Sequence, residues 1–312
     1  MDPVILFFLL GLAAGMLRSE LRLPPAVYEF LTVVLLLSIG LKGGVELAQQ
    51  SLLRLLPEIV AVIGLGVALT LIAYPLLRGV GRFPRPDAAS IAAHYGSVSV
   101  GTYAVALAYL TSLGVDFEEH IALFLVVLEM PAIVVGVALA KGISRDVRWR
   151  RLFHEIFLGK SLVLLTGGLL IGWAAGPQGV ASIEGLFFGL FKGVLALFLL
   201  EMGLLAAAQM AGLRRYGLFL IGFGVVMPLI GAAIGAALGW ALALSVGGTA
   251  LLATLAGSAS YIAVPAAMRL TVPESDPTLS LAASLGVTFP FNVFFGIPLY
   301  LAMAQSLHGS LR

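Results

Sequence analysis

The sequence predicts an all-α polytopic membrane protein of ten transmembrane helices, built as two inverted five-helix repeats with broken, crossing helices 4 and 9. Three observations carry this prediction. Hydrophobic residues make up 60% of the chain and charged residues only 11%, with a mean hydropathy of +1.07, values that water-soluble domains do not reach. Apolar runs able to cross about 30 Å of hydrocarbon recur along the whole chain. Two of them carry, in corresponding places, polar and weakly helix-forming stretches: "YGSVSVGTYAVA" at 95–106 and "LAGSASYIAVPAA" at 255–267.

In chain order, span 1 (4–17) lies in "MDPVILFFLLGLAAGML", which lacks a basic n-region and a small-residue cleavage site and therefore reads as a retained helix. Spans 2 (27–41) and 3 (57–77) precede the basic loop "RGVGRFPRP", and span 4 (88–112) precedes the acidic "DFEEH". Span 5 (119–140) ends at "KGISRDVRWRR", the one sizeable basic loop. Spans 6 to 10 fall at 156–175, 185–209, 217–241, 247–270 and 279–306. The loops after odd-numbered spans, with Lys160 at a span edge, hold 14 of the 18 Lys and Arg residues; only Lys42, Arg54, Lys192 and Arg312 lie opposite. Basic loops stay in the cytoplasm, so both termini are expected outside. The expected location is a bacterial inner membrane, with the lipid bilayer as solvent.

The halves divide as 1–142, a cytoplasmic linker at 143–158, and 159–312. At an offset of 161 residues, Gly96 matches Gly257, Ser97 matches Ser258 and Ser99 matches Ser260. "LLLSIGLKGG" in span 2 pairs with "LFLLEMGLLAA" in span 7, and "LEMPAIVVG" in span 5 with "TFPFNVFFG" in span 10. Five spans are an odd number, so the second half crosses in the opposite sense, as in many secondary transporters.

A Gly-Ser-X-Ser break frees backbone groups that hydrocarbon cannot satisfy. Serine suits the cap of a restarting helix, so half-helix N-termini are expected after Gly96 and Gly257, with amides suited to an anion. The C-terminal carbonyls of the preceding half-helices suit a hard cation such as Na⁺. The alternative is plain close packing of small residues. All five aspartates (Asp2, Asp87, Asp116, Asp146, Asp276) fall in loops or at ends, while Glu129, two residues before Pro131, and Glu201 lie within spans. Intramembrane carboxylates are usually functional. Glu129 is expected to flank the crossing with Asn292 in the matching span 10, or else to pair with a donor inside the bundle; Glu201 reads as a gate or a helix contact. His94 reads as a packed histidine or a proton handler, and Tyr103 and Tyr261 as site closures or interfacial anchors.

Enzyme chemistry lacks its parts. There is no cysteine, the four histidines (His94, His120, His154, His308) form no metal spacing, and neither H-E-x-x-H nor a phosphate loop is present. Nothing points to nucleic acid.

The stretches "IAAHYGSVSVGTYAVALAYL", "LAGSASYIAVPAAMRL" and "SLGVTFPFNVFFGIPLY" resemble the sodium-dependent bicarbonate transporters of the cyanobacterial type, within the fold superfamily of the bile-acid sodium symporters, along nearly the whole chain. The resemblance implies a core of spans 3–5 and 8–10 moving against a panel of spans 1, 2, 6 and 7, elevator-type bicarbonate uptake, Na⁺ as coupling ion and a homotrimer. Carried over by position, bicarbonate is assigned to Gly96, Ser97, Ser99, Gly257, Ser258, Ser260 and Tyr261. Na⁺ is assigned to Ser99, Thr102, Glu129, Ser260 and Asn292. A PII-like regulatory protein docks on the cytoplasmic side of that family; "KGISRDVRWRRLFHE" is shorter than the segment such members carry between the halves. No lysine or arginine sits at mid-span in the core helices, which suits a weakly held monovalent anion better than a dianion. A larger organic anion is the alternative substrate. A sodium/proton antiporter would need an accessible carboxylate at the crossing, for which only Glu129 is available.

Overall fold

The computed structural model describes residues 3–142, 149–212 and 217–309. Among these the chain is helical, with no strand. The elements are α1 (Pro3–Met16), α2 (Pro25–Leu47), α3 (Leu52–Pro75, continued by a π-helical turn Leu76–Val80), α4 (Arg85–Gly96) and α5 (Val100–Ser112). They continue as α6 (Ala122–Lys141, after a 3₁₀ turn Glu119–Ile121), α7 (Trp149–Phe157), α8 (Lys160–Ala181), α9 (Phe191–Gly212), α10 (Gly217–Ala241), α11 (Val246–Ala256) and α12 (Ala263–Thr271). The last, α13, runs Pro277–Gly309 and contains π-helical turns at Ser284–Thr288 and Asn292–Gly296. Seven of these segments are long and apolar enough to cross a membrane, and α1 and α11 are shorter apolar helices. With 12 residues in α4, 13 in α5 and 11 in α11, none of the three reaches the length of a spanning helix at about 1.5 Å per residue.

Local chemistry fixes several boundaries. Proline stands in the first turn of α2 and of α4, where its missing N–H costs nothing. Ser245 caps α11 by accepting from the Gly248 N–H at 3.0 Å, and Asp276 caps α13 through the Thr278 N–H at 2.9 Å. Span 6 differs from its expected start at 156. Chain around Gly159 separates an amphipathic nine-residue helix, α7, from α8, so most of the expected linker 143–158 is helical; residues 143–148 lie outside the described ones. α8 kinks at Gly176, whose φ of 63° favours glycine, just before Pro177.

Helix pairs approach almost backbone to backbone where glycine is present. α1 packs on α9, where a β-carbon on Gly203 would lie 2.6 Å from the Leu12 nitrogen. α2 packs on α8, where one on Gly40 would lie 2.6 Å from the Leu165 carbonyl oxygen. A second group of contacts joins α3, α4 and α6, and a third joins α10, α11 and the end of α13. The two groups meet where α5 touches α11 and α4 touches α13. On one side His120 sits between Glu46 (3.3 Å) and Glu58 (3.2 Å), tying α2, α3 and α6 together. Exposed apolar side chains such as Val60, Leu71, Leu170, Leu218 and Phe295 form the lipid-facing surface.

Candidate functional site

Two helical segments break inside the protein, at 97–99 and at 257–262. At the first, Ser97 is extended (φ −97°, ψ −172°) and Ser99 begins α5 as its N-cap, its hydroxyl accepting from the Thr102 N–H at 3.1 Å and from the Thr102 hydroxyl at 2.8 Å. At the second, Gly257 ends α11, and the Ser260 hydroxyl accepts a long 3.4 Å bond from the Val264 N–H at the start of α12.

The breaks bond directly to each other. The Ser99 N–H donates to the Ser258 hydroxyl at 3.0 Å, and the Ser260 N–H donates to the His94 carbonyl at 2.8 Å. His94 returns the contact, its Nδ1–H donating to the Ser260 carbonyl at 2.6 Å. His94 is therefore a packed residue that joins the breaks through its ring Nδ1 and its carbonyl. Ser97, Ser99, Thr102, Ser258 and Ser260 are all buried, none more than 3% exposed.

A second tier of polar side chains holds these ends. Asn292 donates from Nδ2 to the Gly257 carbonyl at 2.8 Å and accepts the Tyr300 hydroxyl on Oδ1 at 2.6 Å. The Tyr95 hydroxyl donates to Thr288 at 2.8 Å, and Thr288 donates to the Gly224 carbonyl at 2.7 Å. Tyr300, Thr288 and Tyr95 escaped the sequence reading. The available signal was a hydroxyl deep in an apolar segment, eight residues after Asn292 in the case of Tyr300. Tyr300→Phe leaves the Asn292 carbonyl without its buried donor and is expected to destabilise the protein by about 1–3 kcal/mol, read as a lower melting temperature in detergent.

Among the described residues, four buried side-chain atoms have no hydrogen-bond partner: Ser97 Oγ, Glu129 Oε2, Glu201 Oε2 and Tyr261 OH. Ser97 and Tyr261 belong to the crossing. The Tyr261 hydroxyl lies against Gly101 in the first turn of α5, where a β-carbon would collide with it, and Phe198 and Phe289 close the same spot. The first-turn amides of Val100 and Gly101 have no acceptor within their helix. Glu129 stands slightly apart. It lines a cavity of ≈ 190 Å³ together with Glu155, Lys160, Ser161, Ile262 and Ala263, so it reaches the second break from the side. Glu201, in α9, is half-buried. Tyr103 is buried in α5.

Hydroxyl valence sorts these groups by the charge they can serve. Ser99 Oγ already accepts two bonds, so its own proton remains to be donated. Ser97 and Tyr261 also have protons to donate, and like the first-turn amides of α5 they are donors of the kind an anion accepts. Thr102 has spent its proton on Ser99, and Ser258 Oγ has spent its own on the Leu255 carbonyl at 2.8 Å. Their remaining lone pairs, with the last carbonyls of α4, fit a hard cation.

The family model described as the Na⁺-dependent bicarbonate transporter superfamily matches residues 3–305. The chain belongs to that superfamily. A search of curated proteins finds no match. As a member of the Na⁺-dependent bicarbonate transporter superfamily it is a multi-pass membrane transporter and not an enzyme. Na⁺ is the coupling ion that this membership implies.

Proposed function

We propose that the protein takes up bicarbonate together with Na⁺ by an elevator-type alternating-access mechanism across a bacterial inner membrane. The observation that carries the reading is the direct bonding of two broken helices at a crossing where the buried Ser97 hydroxyl has no partner among the described residues. Bicarbonate is a small planar anion with several acceptor oxygens, and a cradle of amides and hydroxyls matches it without a fixed positive charge. Ser97, Ser99, Ser260 and Tyr261 hold the anion, with Gly96 and Gly257 allowing the close approach. Thr102 and Ser258 contribute lone pairs to Na⁺, and Ser99 lies between the two ions. Asn292 acts chiefly by clamping the α11 end, with one lone pair of Oδ1 left for a cation. Glu129 places a carboxyl group at the mouth of the second break.

The ten-span, inverted-repeat reading counts α4 with α5, and α11 with α12, as spans 4 and 9. Packing relations support it. If the halves correspond, span 1 on span 7 is the counterpart of span 6 on span 2, and both contacts occur as α1 on α9 and α8 on α2. Likewise the contacts among α3, α4 and α6 answer to those among α10, α11 and α13. The first set forms the panel and the second the moving core. Assembly as a homotrimer follows the resemblance to sodium-dependent bicarbonate transporters.

Uptake of ¹⁴C-bicarbonate into proteoliposomes, under an inward Na⁺ gradient and under an equal K⁺ gradient, tests the reading. Accumulation with Na⁺ alone is the expected result. Equal accumulation with both cations, or none, removes the proposed coupling and moves a larger organic anion ahead as the substrate.

A further inference from the structure

The described part of the segment between α6 and α8 forms a helix with three distinct faces. In α7, Leu152 and Ile156 are buried, at 0% and 6% exposure, in an apolar cluster with Ala93, Ile133, Val264 and Met268. This face fastens α7 to α12, the half-helix that follows the second break, within a cluster that α4 and α6 also enter. Beside it, Trp149, Phe153 and Phe157 recur every fourth residue and form a ridge, with neighbouring ring centroids 6.4 and 6.5 Å apart. Phe153 and Phe157 are 36% and 53% exposed, and Leu158 after them is 61% exposed. Arg150 and Arg151 are exposed next to the ridge. Together with Leu158 these side chains border an open groove of ≈ 800 Å³.

An aromatic ridge edged by arginines is the pattern of a helix lying in the plane of a membrane interface, rings at the acyl boundary and cations at the headgroups. The basic side of the membrane faces the cytoplasm, where the leaflet carries the anionic lipids. We propose that α7 is an interfacial anchor that binds anionic phospholipid headgroups through Arg150 and Arg151 and moors the α12 end of the crossing to the inner leaflet. The proposal rests on the orientation predicted by the distribution of basic residues among the loops, but not on the substrate. Charge complementarity selects the occupant, because a zwitterionic headgroup offers no net charge to the paired arginines. The anchor also borders the inner cavity, since Glu155 and Ile156 of α7 line it with Glu129. Lipid composition therefore acts on a wall of that cavity.

The test uses the full chain carrying Trp173→Phe and Trp240→Phe, which leaves Trp149 as its one tryptophan. The protein is reconstituted in phosphatidylcholine vesicles containing phosphatidylglycerol, with either one or the other lipid brominated to quench the indole. Brominated phosphatidylglycerol is expected to quench Trp149 preferentially, by about 5-fold in relative affinity for each arginine. High salt and the Arg150→Gln, Arg151→Gln double variant are expected to erase the preference. Equal quenching by both lipids would overturn the anionic-lipid assignment. Quenching by neither would show that a protein partner or another part of the chain covers the ridge, and would overturn it too. A melting temperature of the double variant equal to its parent in detergent establishes that folding is not the cause. Because the readout is optical, these outcomes stand apart from any failure of Na⁺-driven uptake.

Discussion

Ser97→Ala is expected to lower Na⁺-driven bicarbonate uptake about 10- to 100-fold at sub-saturating substrate, the cost of losing one hydrogen bond to a charged ligand. Its stability is expected to stay within about 0.5 kcal/mol of the parent. Both halves of this expectation come from one observation: the Ser97 hydroxyl is buried and, among the described residues, has no partner. Removing it breaks no internal bond, so nothing in the empty protein is lost. Ser258 is the contrasting case, since its hydroxyl donates to the Leu255 carbonyl and accepts from the Ser99 N–H. Ser258→Ala strands the buried Ser99 amide, while the Leu255 carbonyl keeps the Ser258 N–H at 3.2 Å, and is expected to lower stability and uptake together. Initial uptake rates and melting temperatures, measured side by side on both variants, check the contrast. Full uptake by Ser97→Ala would remove that hydroxyl from the anion site.

Much of this site is legible in the sequence because a polar break in hydrocarbon needs a reason to exist. Gly96, Ser97 and Ser99 stand out against "VALAYL", and Gly257, Ser258 and Ser260 against "LLATL", without any knowledge of their partners. What the sequence does not carry is the partner of each group. Ser99 and Ser260 look like equivalent caps, yet the Ser99 N–H bonds to a hydroxyl and the Ser260 N–H to the His94 carbonyl. The choice depends on how α4 passes α11, which is a tertiary fact. The role of Asn292 is hidden for the same reason, because nothing local says that Tyr300 will be its donor. The π-helical turns at Ser284–Thr288 and Asn292–Gly296 also leave no periodic signal, as each adds one residue to a turn and is held by packing. Glu129 was visible as an intramembrane carboxylate, but its placement on a side cavity depends on α7 and α8 folding beneath it. α7 itself lay in a segment read as linker. Its apolar, aromatic and basic positions separate only on a helical wheel of nine residues, too short a pattern to distinguish from a charged loop.

Gly96→Ala is expected to be the most damaging single-methyl change in the crossing. A β-carbon on Gly96 would collide with Thr70 Oγ1, sit 2.7 Å from the Gly66 carbonyl oxygen and press on the Ala132 methyl at 3.0 Å. Two of these neighbours belong to α3 and one to α6, so relief requires α4 to move away from both. The hydroxyl cannot simply rotate aside, because Thr70 already donates to the Gly66 carbonyl at 2.9 Å. Overpacking of this kind costs about 1–3 kcal/mol. Displacing the end of α4 also displaces the His94 carbonyl that receives the Ser260 N–H. Uptake is therefore expected to fall below detection even in the fraction that folds, with a lower melting temperature. Thr70→Ala added to Gly96→Ala separates the causes. It removes the side-chain collision but leaves the Gly66 carbonyl in place, so stability is expected to return only in part and uptake to stay low. Complete recovery in the double variant would mean that the Thr70 hydroxyl alone had been the obstacle and that α4 has room to shift against the α3 backbone. Failure of both variants, beside a stable Ser97→Ala, would mean that the position of the α4 end, as distinct from any single hydroxyl on it, sets the geometry at which the two broken helices meet.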